Sequence, residues 1–195
     1  DSMEPNGVLH GIPIAIKDTI DTNDFPTEFN SPIYAGSKPV RDAACVAIAR
    51  KAGAVILGKT RTVEFAAAGR IPATKNPHKT EHGPGGSSNG SAASVADFMT
   101  PLALGTQTGG SMIRPASFCG IYAMKPTWGA VSNNGVRVNC PTLDCVGWYG
   151  RNVDDLLLLA SLYEIPRADQ LSNIELSNLC IGLCQSPVWE QANTA

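Results

Sequence analysis

Two loops rich in glycine and serine hold the residues best suited to covalent chemistry. The first is Gly85-Gly86-Ser87-Ser88-Asn89-Gly90-Ser91-Ala92-Ala93, the second Gly105-Thr106-Gln107-Thr108-Gly109-Gly110-Ser111. The second leaves a short apolar run, Leu102-Ala103-Leu104, and sets two adjacent glycines directly before a serine. Glycine reaches backbone angles closed to other residues, so successive N–H groups in such a loop can point into one concavity. A concavity of amides stabilises an oxyanion, and a serine at its lip becomes a nucleophile once a base takes its proton. Histidine is scarce: only His10, His78 and His82 are present, which turns attention to lysine. Lys17 stands at the end of the apolar run Gly11-Ile12-Pro13-Ile14-Ala15-Ile16, where burial lowers an amine's pKa. On spacing alone a plainer reading is slightly the simpler. In it the loops are ordinary turns and Lys17 is a surface lysine at a strand end.

Two further patterns imitate known chemistry. Gly53-Ala54-Val55-Ile56-Leu57-Gly58-Lys59-Thr60 fits the phosphate-loop spacing G-x-x-x-x-G-K-[ST]. That motif needs a flexible loop between a strand and a following helix. Here the middle residues read as the strand itself, so their amides are committed to a sheet and Lys59 is a solvated or locally paired lysine. Gly86-Ser87-Ser88-Asn89-Gly90 fits G-x-S-x-G, but no core strand can precede it and no histidine follows His82, as a nucleophile elbow requires.

The elements that must position these loops follow from pattern. Gly11 to Ile16 reads as a buried strand, with Pro13 placing it near an edge or a strand start. Residues 19–38 are loop. Arg41 to Ala52 is an amphipathic helix with Ala44, Val46, Ala47 and Ile48 apolar, closed by Gly53. Ala54 to Leu57 is a short strand, residues 68–90 a long loop, and Ser91 to Phe98 a helix of small residues. Leu102 to Leu104 and Ile121 to Met124 are strands, and Asn133-Asn134-Gly135 signals a hairpin turn. A helix over 154–163 and a strand over 179–184 complete the chain. Alternating short strands and helices predict an α/β fold, a mixed β-sheet core flanked by helices, with residues 1–195 forming one domain.

Composition bounds the partners. The 195 residues carry 15 Lys and Arg against 17 Asp and Glu, a net charge of −2. There is no basic excess to neutralise phosphates, so no nucleic-acid partner is expected. Hydrophobic residues at 43% exclude a disordered chain. No apolar run approaches the ~20 residues that span a bilayer, and no leader is visible, so no membrane association is expected. Cys45, Cys119, Cys140, Cys145, Cys180 and Cys184 form no zinc pattern and no CxxC pair. Their apolar neighbours suggest buried free thiols and a reducing, cytoplasmic compartment. Neither a metal nor another cofactor is expected. The chain starts at Asp1 and stops without a closing element, which suggests a portion of a longer protein.

Several of these blocks, taken in order, carry a family resemblance. The chain resembles the amidase signature family, serine hydrolases with a Ser–Ser–Lys triad. The match runs through Gly11-Ile12-Pro13-Ile14-Ala15-Ile16-Lys17-Asp18, Ala52 to Thr60, Gly85-Gly86-Ser87-Ser88 and Gly105 to Ser111. It continues through Arg114-Pro115-Ala116-Ser117-Phe118-Cys119-Gly120 and Lys125-Pro126-Thr127, and covers most of residues 11–163. The resemblance implies the amidase signature fold, of which this chain is the N-terminal core with the C-terminal part missing. It implies Lys17 as the catalytic lysine, Ser87 as a bridging serine after a cis peptide bond, and Ser111 as the nucleophile. The oxyanion hole falls on the N–H groups of Thr108, Gly109, Gly110 and Ser111, with Ser88, Thr106, Gln107 and Arg114 around them. The family often has Asp where Gln107 stands, Gly where Asn89 stands, and Arg where Ile113 stands.

The implied activity is hydrolysis of a carboxamide C–N bond, releasing ammonia or an amine and a carboxylic acid. The partner is a small-molecule amide, with a homodimer or association with the rest of the fold left open. Two alternatives remain: the ammonia-supplying subunit of a tRNA-dependent amidotransferase, which the acidic balance disfavours, and a non-catalytic fragment. Read without the resemblance, Ser88 and Ser91 are helix caps, and Gln107 and Arg114 fix loops as readily as they bind substrate.

Overall fold

The computed structural model describes residues 7–67, 69–166, 175–185, 187 and 189–191. The chain divides into two compact units, 1–165 and 166–195. All strands and α-helices among the described residues lie in the first. Its sheet comprises β1 (Pro13–Lys17), β2 (Val55–Thr60), β3 (Leu102–Gln107), β4 (Tyr122–Met124) and β5 (Cys145–Gly150). The spatial order is β2-β1-β3-β5-β4. β1 pairs in parallel with both β2 and β3, whereas β5 runs antiparallel to β3 and β4. The mixed sheet with flanking helices is the expected architecture.

Period-2 alternation sorts the side chains of β1 onto two faces. Ile14 and Ile16 join one core with Leu102, Leu104, Val146 and Trp148, and with Cys45, Val46 and Ala49 of helix α1 (Ala44–Lys51). Ala15 joins the other core with Ala103, Tyr149 and residues of helices α2 (Asn89–Ala96) and α3 (Ile113–Cys119). Lys17 shares the phase of Ala15, which aims it at the side where α2 and α3 begin. The small residues Ala15, Ala92 and Ala103 let α2 lie close to the sheet, and seven of its eight residues are buried. Helix α4 (Val153–Leu162) starts on Asn152, whose side chain accepts the Asp155 N–H at 2.7 Å, with Asp154 and Asp155 in its first turn.

Several expectations move. Helix α1 buries Val46 as expected, but with Cys45 and Ala49 in place of Ala44, Ala47 and Ile48, the last 40% exposed. β2 continues through Gly58-Lys59-Thr60, so the phosphate-loop look-alike is sheet. Lys59 is locally paired, 3.1 Å from Asp18 and 2.7 Å from the Thr27 hydroxyl. The Asn133–Gly135 signal is a turn, closed by Val136 N–H to Asn133 O at 3.0 Å, but its exit bridges to Ile20 instead of folding back as a hairpin. Residues 179–184, expected as a strand, are irregular. In the second unit the described residues supply no partner strand, and Cys180 and Cys184 are exposed instead of buried. The unit's described regular structure is two 3₁₀ turns, Leu176–Asn178 and Trp189–Gln191.

Candidate active site

Lys17 ends β1, between β2 and the last turn of β3, and its side chain is fully buried. Its Nζ lies 2.9 Å from Ser87 Oγ, 2.7 Å from Thr106 Oγ1 and 3.4 Å from Thr106 O. Burial penalises the ammonium form and pulls the pKa from 10.5 down to about 7, against the upward pull of the Asp144 carboxylate. An amine at that value is half neutral near physiological pH. Asp18, next in the chain, is turned away onto Lys59 and the Glu28 N–H.

Ser87 is held by its backbone. The Gly86–Ser87 peptide is cis, and both carbonyls around it are engaged. Gly86 O accepts two bonds from the Arg114 guanidinium, at 3.0 and 2.6 Å. Ser87 O accepts the Thr62 hydroxyl at 3.0 Å and Val63 N–H at 3.2 Å. Gly85 has φ +75°, and a Cβ there would fall 2.9 Å from Pro115 Cα, so only glycine suits the turn. Arg114 therefore fixes this loop.

Ser88 and Ser91 lie at the start of α2 but do not cap it. Ser88 Oγ donates to Thr106 O at 3.0 Å, and Ser91 Oγ to Leu104 O at 2.9 Å. They stitch the helix to β3 and so hold the Ser87 turn beside the strand that carries Thr106. Gly90 makes this docking close: its N–H bonds Arg61 O at 3.0 Å, and a Cβ would sit 2.5 Å from Arg61 N. Gly90→Ala is expected to destabilise the protein by about 2 kcal/mol, read as a lowered urea midpoint at unchanged m-value. An unchanged midpoint would show that the helix backs away at no cost.

Ser111 lies in the loop between β3 and α3 and is half-buried. Five contacts fix this loop. Gln107 Oε1 accepts Met112 N–H at 2.6 Å and Ile113 N–H at 3.0 Å, which serves the otherwise unpaired amides at the start of α3. The buried Tyr149 hydroxyl is 3.3 Å from Ser111 O and 3.2 Å from Met112 O. Ser88 N–H also reaches Ser111 O, at 3.3 Å. Gln107 is thus a loop-fixing residue. No hydrogen bond among the described residues joins Ser111 Oγ to Ser87 Oγ, so the Ser111 hydroxyl keeps its rotational freedom.

The backbone N–H groups of Thr108, Gly109, Gly110 and Ser111 have no hydrogen-bond partner among the described residues. Neither Gly109 nor Gly110 has left-handed backbone angles, contrary to the sequence argument. The loop borders open space: a Cβ built on Gly109 would meet nothing within 4 Å. Four unused amides beside open space form an arrangement that can receive an anionic oxygen.

Sequence reasoning missed Tyr149 and Asp144. The buried Asp144 takes the Thr108 hydroxyl on one carboxylate oxygen and the Asn139 and Cys140 amides, at 2.7 and 2.8 Å, on the other. It ties the Thr108 loop to residues 139–140 and places a negative charge within the field of Lys17. Neither residue sits in a motif; only the pairing of β5 with β3 brings them in.

A family model described as Amidase matches residues 1–179. The chain belongs to the amidase family. It is 41% identical to a glutamyl-tRNA(Gln) amidotransferase subunit of Natranaerobius thermophilus over 198 aligned positions, covering 92% of this chain and 40% of the relative. Among solved structures, the glutamyl-tRNA(Gln) amidotransferase subunit of the same name from Thermotoga maritima superposes with a TM-score of 0.76 at 41% identity, over 83% of this chain and 36% of that one. Native peptide amidase from Stenotrophomonas maltophilia gives a TM-score of 0.76 at 36% identity, over 85% of this chain and 36% of that one. The chain thus spans about 40% of the length of the curated relatives it matches.

Proposed function

We propose that the protein hydrolyses carboxamides through an acyl-enzyme on Ser111, with Lys17 as base and Ser87 as proton relay. The observation that carries this reading is the fully buried amine of Lys17, 2.9 Å from the Ser87 hydroxyl. In its neutral form the amine has a lone pair for the Ser87 proton and N–H groups for Thr106. As Ser87 passes its proton to Lys17 it takes one from Ser111, whose oxygen attacks the amide carbon. The carbonyl oxygen gains its charge against the amides of Thr108 to Ser111, where one donor is typically worth about 3 kcal/mol. The proton returns through Ser87 to the departing nitrogen, and ammonia or an amine leaves. Water then follows the same path and releases the carboxylic acid. All six cysteines are free thiols, which supports a reducing, cytoplasmic setting. No described helix is long and apolar enough to cross a membrane.

A second reading, as the ammonia-supplying subunit of a glutamyl-tRNA(Gln) amidotransferase, draws support from relatives of that name at 41–43% identity over 92–95% of the chain. Ammonia release from glutamine, an amidated peptide and a small aliphatic amide separates the two. Release from simple amides without further components supports the first. Release from glutamine alone, stimulated by tRNA and a second protein chain, supports the second. In either case kcat/KM should fall about tenfold per pH unit below about 7, as the Lys17 amine takes up its proton. A profile flat from pH 5 to 8 would remove Lys17 as the base.

A further inference from the structure

We propose that Arg137 is a specificity-determining residue that binds a carboxylate carried by the amide substrate. The inference rests on the hydrolase reading above and adds the charge class of its substrate. The guanidinium carbon of Arg137 lies 4.5 Å from the ring centroid of Phe65 and 5.7 Å from that of Phe29. Tyr34 completes the cluster, 5.0 Å from Phe29 and 5.9 Å from Phe65. Arg137 Nε is buried with no hydrogen-bond partner. Among the described residues no ion pair uses this guanidinium. A permanently charged group with a buried, unsatisfied donor lacks an acceptor, and a guanidinium's paired N–H groups fit a carboxylate. Stacking on aromatic rings holds such a group ready for it.

Three links tie the Arg137 segment and its aromatic cluster to the proposed machinery. Its N–H bonds Thr19 O at 2.9 Å, and the Thr19 hydroxyl is 3.5 Å from that of Thr106, which holds the Lys17 amine. Phe65, under the guanidinium, stands two residues after Val63, whose N–H is bonded to Ser87 O. Asn139, two residues beyond Arg137, donates its N–H to Asp144, which also holds Thr108. Arg114, which lies beside Ser87, is already engaged by Gly86 O. The backbone beneath the stack is strained: Phe29, Asn30, Phe65 and Ala66 have φ of 55°, 55°, 54° and 57°. Bulky residues rarely adopt these angles, and such strain clusters at ligand clamps.

The test compares succinamate, an amide with a terminal carboxylate, with 4-methylpentanamide, its uncharged isostere. The parent protein should favour succinamate in kcat/KM. Arg137→Met should cut that preference about 10- to 100-fold, mainly through KM, and Arg137→Lys should restore part of it. A preference unaltered by Arg137→Met overturns the proposal, as does a parent protein with no preference. Calorimetric titration of succinamate into Ser111→Ala reads the same contrast without turnover: binding weakened by Arg137→Met supports it, and no binding overturns it. Labelling of Ser111 by a fluorophosphonate decides the hydrolase reading separately, so the two failures are distinguishable.

Discussion

Replacing Lys17 by methionine should lower amide hydrolysis by at least about 10³-fold and, in the same protein, raise stability in acid. The two effects share one cause. A free lysine titrates at 10.5 and this one at about 7, so between those values the unfolded chain binds more protons than the native one. Native stability must then rise with pH across that window, by up to about 1.4 kcal/mol per unit. Below pH 7 the native state carries a buried ammonium, a penalty on the order of 5 kcal/mol relative to high pH. Methionine fills similar volume without charge. It does strand the Ser87 and Thr106 hydroxyls, which returns about 1–3 kcal/mol of that gain. Urea titrations at pH 6, 8 and 10 should find the variant ahead of the parent at pH 6, with the lead shrinking as pH rises. A lead that is constant with pH would mean that the parent's lysine titrates at its ordinary value.

Ser111→Ala should be as damaging to activity, about 10³-fold or more, yet almost silent in stability. The Ser111 hydroxyl supports no hydrogen bond among the described residues, and its loop is held by Gln107, Tyr149 and Ser88 through backbone groups. The unfolding midpoint should therefore move by no more than about 0.5 kcal/mol, while fluorophosphonate labelling disappears. Because the three side chains act in series, Ser111→Ala combined with Lys17→Met should lose no more activity than either alone. Persistent labelling of the alanine variant, on Ser87 or elsewhere, would assign the nucleophile to another serine.

The parts of the site legible in the sequence are those with a local signature. The Ile14-Ala15-Ile16 run raises the burial of Lys17 as one of two readings, the surface lysine being slightly the simpler on spacing alone, and the apolar run before Gly105 marks the strand-to-loop passage into Ser111. What escapes lacks such a signature. Helix α3 is hidden because Pro115 looks like a breaker, although it stands in the first turn, where proline is tolerated. Strand β5 is buried at all six positions and so shows no polar alternation. It also carries Gly147 and Gly150, which weaken a strand reading. Without β5 neither Tyr149 nor the neighbouring Asp144 can be placed. Ser88 and Ser91 read as caps because a helix start predicts that role, whereas close packing of α2 on β3 gives their hydroxyls strand carbonyls instead.

The order of the strands carries a consequence for how chemistry first appears in a newly made molecule. In the proposed mechanism the amine comes from residue 17, the relay hydroxyl from residue 87 and the nucleophile from residue 111, and the Lys17 amine reaches the Ser87 hydroxyl only once β1 lies between β2 and β3. Parallel neighbours so distant along the chain pair late, since closing long loops is entropically slow. Until then the lysine is hydrated, charged and unable to act as a base. If that mechanism holds, latency is inherent in the topology: a chain in which β1 is still unpaired holds all three groups yet cannot use them.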